Sequence, residues 1–271
     1  AKAANGILAQ LSDDAGDAGR ADRKALIGNL KSAWAQELTR LDHEDDDPGT
    51  TWNERARAAR PDWMSPRMAW RAIQSAMPEN AIISSDIGNN CAIGNAYPSF
   101  PTGRKYLAPG LFGPCGYGLP SIVGAKIGQP DVPVIGFAGD GAFGISVNEL
   151  TAIGRDEWPA ITQIVFRNYQ WGAEKRNSTL WFDDNFVGTE LDMKVSYAGI
   201  AQACGLKGVQ AKSMADLTDI LNQAIKDQME NNVTTLIEVI LNQELGEPFR
   251  RDAMKKPVRV AGVSSDDMAS E

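Results

Sequence analysis

The chain has 271 residues and a formal net charge of −8, with 43% hydrophobic and 23% charged residues. This is an ordinary globular composition, with chain enough for one large domain or one domain plus part of another. The acidic balance argues against nucleic-acid binding, and no apolar run approaches the ~20 residues of a membrane span. The start carries no charged segment followed by a long apolar core, so no secretory signal is expected. It also lacks an initiator Met, as a processed piece or fragment would. Cys91, Cys115 and Cys204 fit neither zinc nor CxxC spacing and are expected as free thiols in a reducing cytoplasm. His43 is the only histidine and sits in an acidic loop, so Ser-His-Asp or Cys-His catalysis is not expected and the chemistry is expected from a cofactor.

In chain order, Lys24–Leu41 reads as a helix with apolar positions at helical spacing, suited to packing on a neighbouring domain. The charged stretch His43–Arg60 holds Pro48-Gly49 and reads as a linker. Ser65-Pro66 opens a helix to about Met77, with Ser as cap and Pro at the first position. Ala81–Ser85 is a short strand followed by the turn Asp86-Ile87-Gly88-Asn89-Asn90, and Lys105–Leu107 is another strand. The glycine-dense stretch Gly110–Pro120, which includes Gly113 and Cys115, opens a helix toward Gly128, an arrangement suited to anions.

The most informative stretch follows. Val132–Ala138 reads as a buried strand, Ser146-Val147-Asn148-Glu149 as a capping box starting a helix near Val147, and Ile161–Arg167 as the next strand. Gly139-Asp140-Gly141 closes the first strand and Asn168 follows the second. A right-handed strand–helix–strand unit brings both strand ends to one edge, so Asp140 and Asn168 would share a crevice. A carboxylate, an amide oxygen and a backbone carbonyl suit Mg²⁺, which completes its shell with water and phosphate oxygens. Taken alone, Gly-Asp-Gly is as often a simple turn.

Beyond it, Ala173–Glu190 has no apolar period and reads as an active-site loop. Ser196–Cys204 is a helix, Leu206–Val209 a strand, Ser213 caps a helix to about Met229, and Thr234–Leu241 is the last strand. Alternating strands and helices over 65–241 predict a doubly wound α/β fold with a parallel sheet.

Gly-Asp-Gly followed at this spacing by Asn168 resembles the signature of thiamine diphosphate-dependent enzymes. That family usually carries Asn-Asn where this chain has Arg167-Asn168, so only the second, ligand position is kept. Longer passages, among them SSDIGNNCAIGNAYPSF, KYLAPGLFGPCGYGLPSIVGAKIG and FRNYQWGAEKRN, resemble the C-terminal part of the sulfoacetaldehyde acetyltransferase family.

The resemblance implies a reaction of sulfoacetaldehyde with phosphate to give acetyl phosphate and sulfite. It implies thiamine diphosphate and Mg²⁺ as cofactors, with Asp140, Asn168 and Gln170 holding the metal. Gly88, Asn89, Asn90, Gly113, Cys115, Gly139, Gly141, Ala142, Trp171 and Gly172 complete the implied cofactor site. Lys175, Arg176, Arg250 and Arg251 are candidates for the sulfonate or phosphate, since cationic side chains suit oxyanions; each is equally readable as a solvated charge.

The resemblance further divides the chain into the end of a middle domain (1–45), a linker (46–64), the diphosphate-binding domain (65–245) and a tail (246–271). It places the activating glutamate outside the chain, so a homo-oligomer or an assembly with an N-terminal part is implied. Another thiamine diphosphate carboligase or decarboxylase, such as acetolactate synthase, and a non-catalytic assembly subunit remain alternatives.

Overall fold

The computed structural model describes residues 19–43, 51–100, 103 and 105–245. The chain divides into two units, Ala1–Asp45 and Asp46–Glu271. In the first, helix α1 (Arg20–His43) contains the helix expected at Lys24–Leu41, and its Leu26, Ile27, Leu30 and Trp34 are exposed.

The second unit is built on six parallel strands: β1 (Ile82–Ser85), β2 (Tyr106–Leu107), β3 (Val134–Gly139), β4 (Thr162–Arg167), β5 (Lys207–Ala211) and β6 (Thr235–Ile240). Their order is β2-β1-β3-β4-β6-β5. Every residue of β1, β4 and β6 is buried, as expected of parallel strands covered on both faces.

One face carries Ile82, Val134, Ala138, Ile161, Val165 and Leu236. It packs under α5 (Gly118–Gly128), through Leu119, Ile122 and Val123, and under Ala201 of α9 (Tyr197–Ala203). The opposite face carries Phe137 and Phe166, whose rings lie 4.8 and 5.2 Å from Trp70 of α3 (Pro66–Ala76). Helix α10 (Met214–Glu230) lies against α3, β5 and β6, and its Gln228 side chain bonds both Val134 N and Val134 O. Helices on both faces of a parallel sheet meet the doubly wound expectation.

The short elements follow local chemistry. Ser65 caps α3 by accepting from Met68 N at 3.2 Å, with Pro66 at the first position. Ser213 caps α10 by accepting from Asp216 N at 3.1 Å.

Two expectations need correcting. The helix read as starting near Val147 starts instead at Asp140, as α6 (Asp140–Ser146), continuing through a 3₁₀ turn (Val147–Glu149) into α7 (Leu150–Ile153). Extended Gly139 turns the chain straight from β3 into the helix, and the Ser146 side chain makes no cap bond. The stretch Ala173–Glu190 is not all loop, since α8 (Gly172–Trp181) occupies its first half. Partners of its buried Lys175 and Arg176 hold this helix, not the apolar stripe that a periodicity search detects. Helix α2 (Thr51–Ala59) lies within the stretch read as a linker.

Candidate active site

From β1 the chain leaves toward β2 on one side, and from β3 toward β4 on the other. A crevice opens outside the carboxyl ends of such strands, where chain directions diverge. Three segments line it: Ile87–Asn90 after β1, Gly139–Ala142 after β3, and Asn168 with Gln170–Glu174 after β4; Cys115 joins from the loop before α5. The starts of α4 (Asn89–Gly94), α6 and α8 therefore all face this crevice, and the first N–H groups of a helix lack intrahelical acceptors. Three such ends make an anion-accepting wall.

Asp140 is the first residue of α6 and is 1% exposed. Its Oδ2 accepts from Tyr169 N at 2.6 Å and Arg167 Nη1 at 2.9 Å, and its Oδ1 from Gly141 N at 3.0 Å. Burial pushes its carboxyl up to about 6, against the lowering pull of Arg167 and the Tyr169 N–H. The Asn168 side-chain oxygen faces Asp140 Oδ1 and the Gln170 carbonyl, 3.2 Å from each. Turned over, the amide nitrogen would donate to both. In the first orientation three acceptors converge, an arrangement that suits a cation; in the second the amide bonds both neighbours without one. An octahedron with ~2.1 Å bonds has edges of roughly 3.0 Å, so the spacing fits Mg²⁺.

Backbone strain aims the Gln170 carbonyl. Tyr169 has a φ of +59°, rare for an aromatic residue and held here by its surroundings. Its ring lies 4.1 Å from the Arg167 guanidinium and 5.6 Å from Trp63. The residues after it pair with the returning chain, Trp171 N donating to Thr189 O at 2.8 Å and Leu191 N to Tyr169 O at 2.9 Å. Close packing crowds any side chain at two glycines of the crevice. A Cβ on Gly141 would meet the Trp171 ring at 2.7 Å, and one on Gly172 would meet Asn89 Cβ at 3.2 Å.

The structure brings together twelve of the thirteen residues assigned to the cofactor: Gly88, Asn89, Asn90, Cys115, Gly139, Asp140, Gly141, Ala142, Asn168, Gln170, Trp171 and Gly172 all line the crevice. Gly113 does not; it takes a φ of +69° in the preceding loop, against Ile87. Asn90 Oδ1 is buried without a hydrogen-bond partner among the described residues. The Cys115 thiol is pushed up by burial and by the nearby Asp86 and Glu174 carboxylates.

Lys175 is fully buried, donates to Glu190 and is pulled below its usual range by that burial. Arg176 donates to Leu245 O at 3.1 Å and Asn89 Oδ1 at 3.4 Å, so it braces the wall from behind. Arg250 and Arg251 lie outside the described residues.

Sequence reasoning missed several residues. Asp86 organises the Cys115 loop, accepting from Ile87 N at 2.8 Å, Gly116 N at 3.1 Å and Gly118 N at 2.7 Å. Arg167 and Glu238 were readable as single opposite charges inside the apolar strands TQIVFR and TLIEVI, a pattern that calls for pairing across neighbours.

The chain belongs to the thiamine pyrophosphate enzymes: the family model described as "Thiamine pyrophosphate enzyme, C-terminal TPP binding domain" matches residues 86–239. Thiamine diphosphate is therefore the cofactor of this family. Among curated relatives, the sulfoacetaldehyde acetyltransferase of Roseovarius nubinhibens is 77% identical over 270 residues, covering 100% of this chain and 45% of that protein. That of Rhodobacter capsulatus is 74% identical over 98% of this chain and 45% of that protein. The acetolactate synthase large subunit of Lactococcus lactis is 26% identical over 70% of this chain and 30% of that protein. The chain thus spans less than half the length of the curated relatives it matches most extensively. Among solved structures, a thiamine diphosphate-dependent 4-hydroxybenzoylformate decarboxylase of Rhodococcus jostii RHA1 superposes with a TM-score of 0.60 at 23% identity, over 68% of this chain and 34% of that one. That likeness supports the fold. Among the described residues no helix is long and apolar enough to cross a membrane.

Proposed function

We propose that this chain contributes the diphosphate–magnesium half of the active site of a sulfoacetaldehyde acetyltransferase, which converts sulfoacetaldehyde and phosphate to acetyl phosphate and sulfite. The observation that carries the metal assignment is the Asn168 side-chain amide lying 3.2 Å from both Asp140 Oδ1 and the Gln170 carbonyl, at the carboxyl edge of β3 and β4. The substrate assignment rests on the 77% and 74% identity to relatives of that name. Thiamine diphosphate supplies, when bound, the carbon nucleophile and electron sink that no side chain offers.

The chain's own residues bind and orient. Asp140, Asn168 and the Gln170 carbonyl would hold Mg²⁺. The starts of α4, α6 and α8 would offer N–H groups to the diphosphate, and Gly88, Gly141 and Gly172 would let backbone approach it. Cys115, on a loop fixed by Asp86, lines the same crevice and would contact the bound cofactor. Lys175 and Arg176 lie on α8 next to the crevice and bias its field toward the anionic sulfonate and phosphate. The activating glutamate comes from a part of the protein outside this chain, so turnover needs a homo-oligomer or an assembly that supplies it. The reading includes a cytoplasmic setting, supported by three cysteines with free thiols.

The test is sulfite release from sulfoacetaldehyde by the assembled protein with Mg²⁺ and thiamine diphosphate, with and without phosphate. Phosphate-dependent release is expected, and Asp140→Ala should abolish it together with metal-dependent cofactor binding. Consumption of pyruvate with no sulfite release would assign the protein to the carboligases instead. Failure to bind Mg²⁺–thiamine diphosphate would favour the assembly-subunit reading.

A further inference from the structure

One buried cation touches both the proposed metal site and the segment that returns after α8. Arg167 ends β4 and is 1% exposed. Its Nη1 donates to Asp140 Oδ2 at 2.9 Å, while its Nη2 donates to the carbonyls of Asp192 and Val195. Its Nε lies 3.6 Å from Glu238 Oε1. The guanidinium sits over the Tyr169 and Tyr197 rings, at 4.1 and 5.3 Å. Glu238 in turn accepts from Ser196 Oγ, Tyr197 N and Ala198 N, which fixes the start of α9. The Tyr197 hydroxyl closes the circuit by donating to Asp140 O at 2.8 Å.

The consequences for Asp140 are geometric. Arg167 and Tyr169 N occupy Oδ2, so the carboxylate presents Oδ1 to the oxygen triangle. The returning segment does the same for a second member: through Thr189 and Leu191 it pairs with Trp171 and Tyr169, the neighbours of Gln170. Two of the three oxygens are thus held by the stretch 189–195, one through the backbone ribbon and one through Arg167. A planar fork is suited to this, because it donates in several fixed directions at once.

We propose that Arg167 is a positioning residue that turns Asp140 toward the metal and ties it to the Asp192–Val195 segment, so that metal occupancy and the order of that segment are coupled. This rests on the magnesium reading above. It makes residues 189–195 a reporter of the metal, and it gives the arginine that stands before Asn168 a task that an asparagine could not perform.

The experiment pairs Mn²⁺ titration of the assembled protein, without substrate, with hydrogen exchange of residues 186–196. In the wild type, metal should slow exchange in 189–195. Arg167→Gln should weaken Mn²⁺ binding by about tenfold or more, as loss of a group orienting a metal ligand does, and should remove that protection. Arg167→Lys separates charge from geometry. It keeps a cation for Asp140 and should weaken metal binding less than Arg167→Gln does, yet it cannot span both carbonyls as the planar fork does and should lose the protection. Arg167→Gln combined with Glu238→Gln removes both buried charges and serves if the single variant does not fold. Its metal binding should be weakened to the same degree as Arg167→Gln predicts. Wild-type protein that binds no metal would overturn the magnesium reading and this inference with it. Wild-type binding with affinity and protection unchanged in the folded glutamine variants would overturn the coupling alone.

Discussion

Acidification tests the crevice most directly, because a single buried carboxylate supplies its one formal negative ligand. The Asp140 carboxyl titrates at about 6, raised mainly by burial and restrained by Arg167. A metal ion takes only the ionised form, so a proton competes with it. At pH 7.5 roughly 97% of such a group is ionised and at pH 5.0 roughly 9%, so apparent Mg²⁺ affinity should fall about tenfold between them. Above pH 7 it should be level. Calorimetric titration with Mg²⁺ alone avoids the titration of the cofactor's own diphosphate, with Asp140→Asn as the control that lacks the step. Stability of the metal-free protein carries the opposite sign. The folded value of about 6 lies above the ordinary 3.8. The group's favourable contribution is therefore fully present below about pH 4 and is lost as pH rises through 6, at most about 3 kcal/mol. Affinity that stays flat from pH 5.0 to 7.5, or a step that persists in Asp140→Asn, would refute the assignment of Asp140 as the titrating ligand.

Three further outcomes are expected. Trp70→Phe removes the indole that donates to Asn90 O at 2.8 Å, a bond additional to those within α4; urea unfolding should register a loss of about 0.5–1.5 kcal/mol, and an unchanged stability would discount the bond. Gly118→Ala would set a Cβ 2.9 Å from Phe137 O and 3.1 Å from the Asp86 side chain, so thermal unfolding should show a cost of about 1–3 kcal/mol; an unchanged melting temperature would mean that the Asp86 loop can shift freely. With iodoacetamide at pH 8, Cys91, whose thiol burial pushes to about 12, should stay unmodified while Cys115 reacts, more slowly once Mg²⁺ and thiamine diphosphate are bound. Peptide mapping reads both, and modification of Cys91 in the folded protein would contradict its placement.

The parts of the site that sequence exposes are those tied to local pattern. Asp140 and Asn168 were legible because each ends an apolar strand and the helix between them fixes their common edge. The Gln170 carbonyl was not legible from spacing, since its aim depends on Tyr169 adopting a conformation that an aromatic residue rarely takes. The start of α6 was misread because a Ser-x-x-Glu pattern signals a cap only when the chain is not already helical, and here the helix begins at the Gly-Asp turn. Helix α8 escaped because its inward residues are Lys175 and Arg176, which a search for apolar periodicity assigns to solvent. The insertion of β6 between β4 and β5 leaves no local mark at all, being a matter of which distant strand finds an open edge.

That insertion bears on how the protein is made. Thr162 of β4 is in register with Thr235 of β6, and the chain just past β6 finishes the crevice. Leu241 N bonds Arg167 O, Gln170 reaches Gln243 O, and Asn89 and Arg176 both converge on Leu245 O. Pairing across such sequence distance forms slowly and late. During translation, then, Asp140 and Asn168 leave the ribosome tens of residues before the wall behind them exists. A chain that stopped before Leu245 would hold the Gly-Asp-Gly turn and lack the carbonyl on which Asn89 and Arg176 converge.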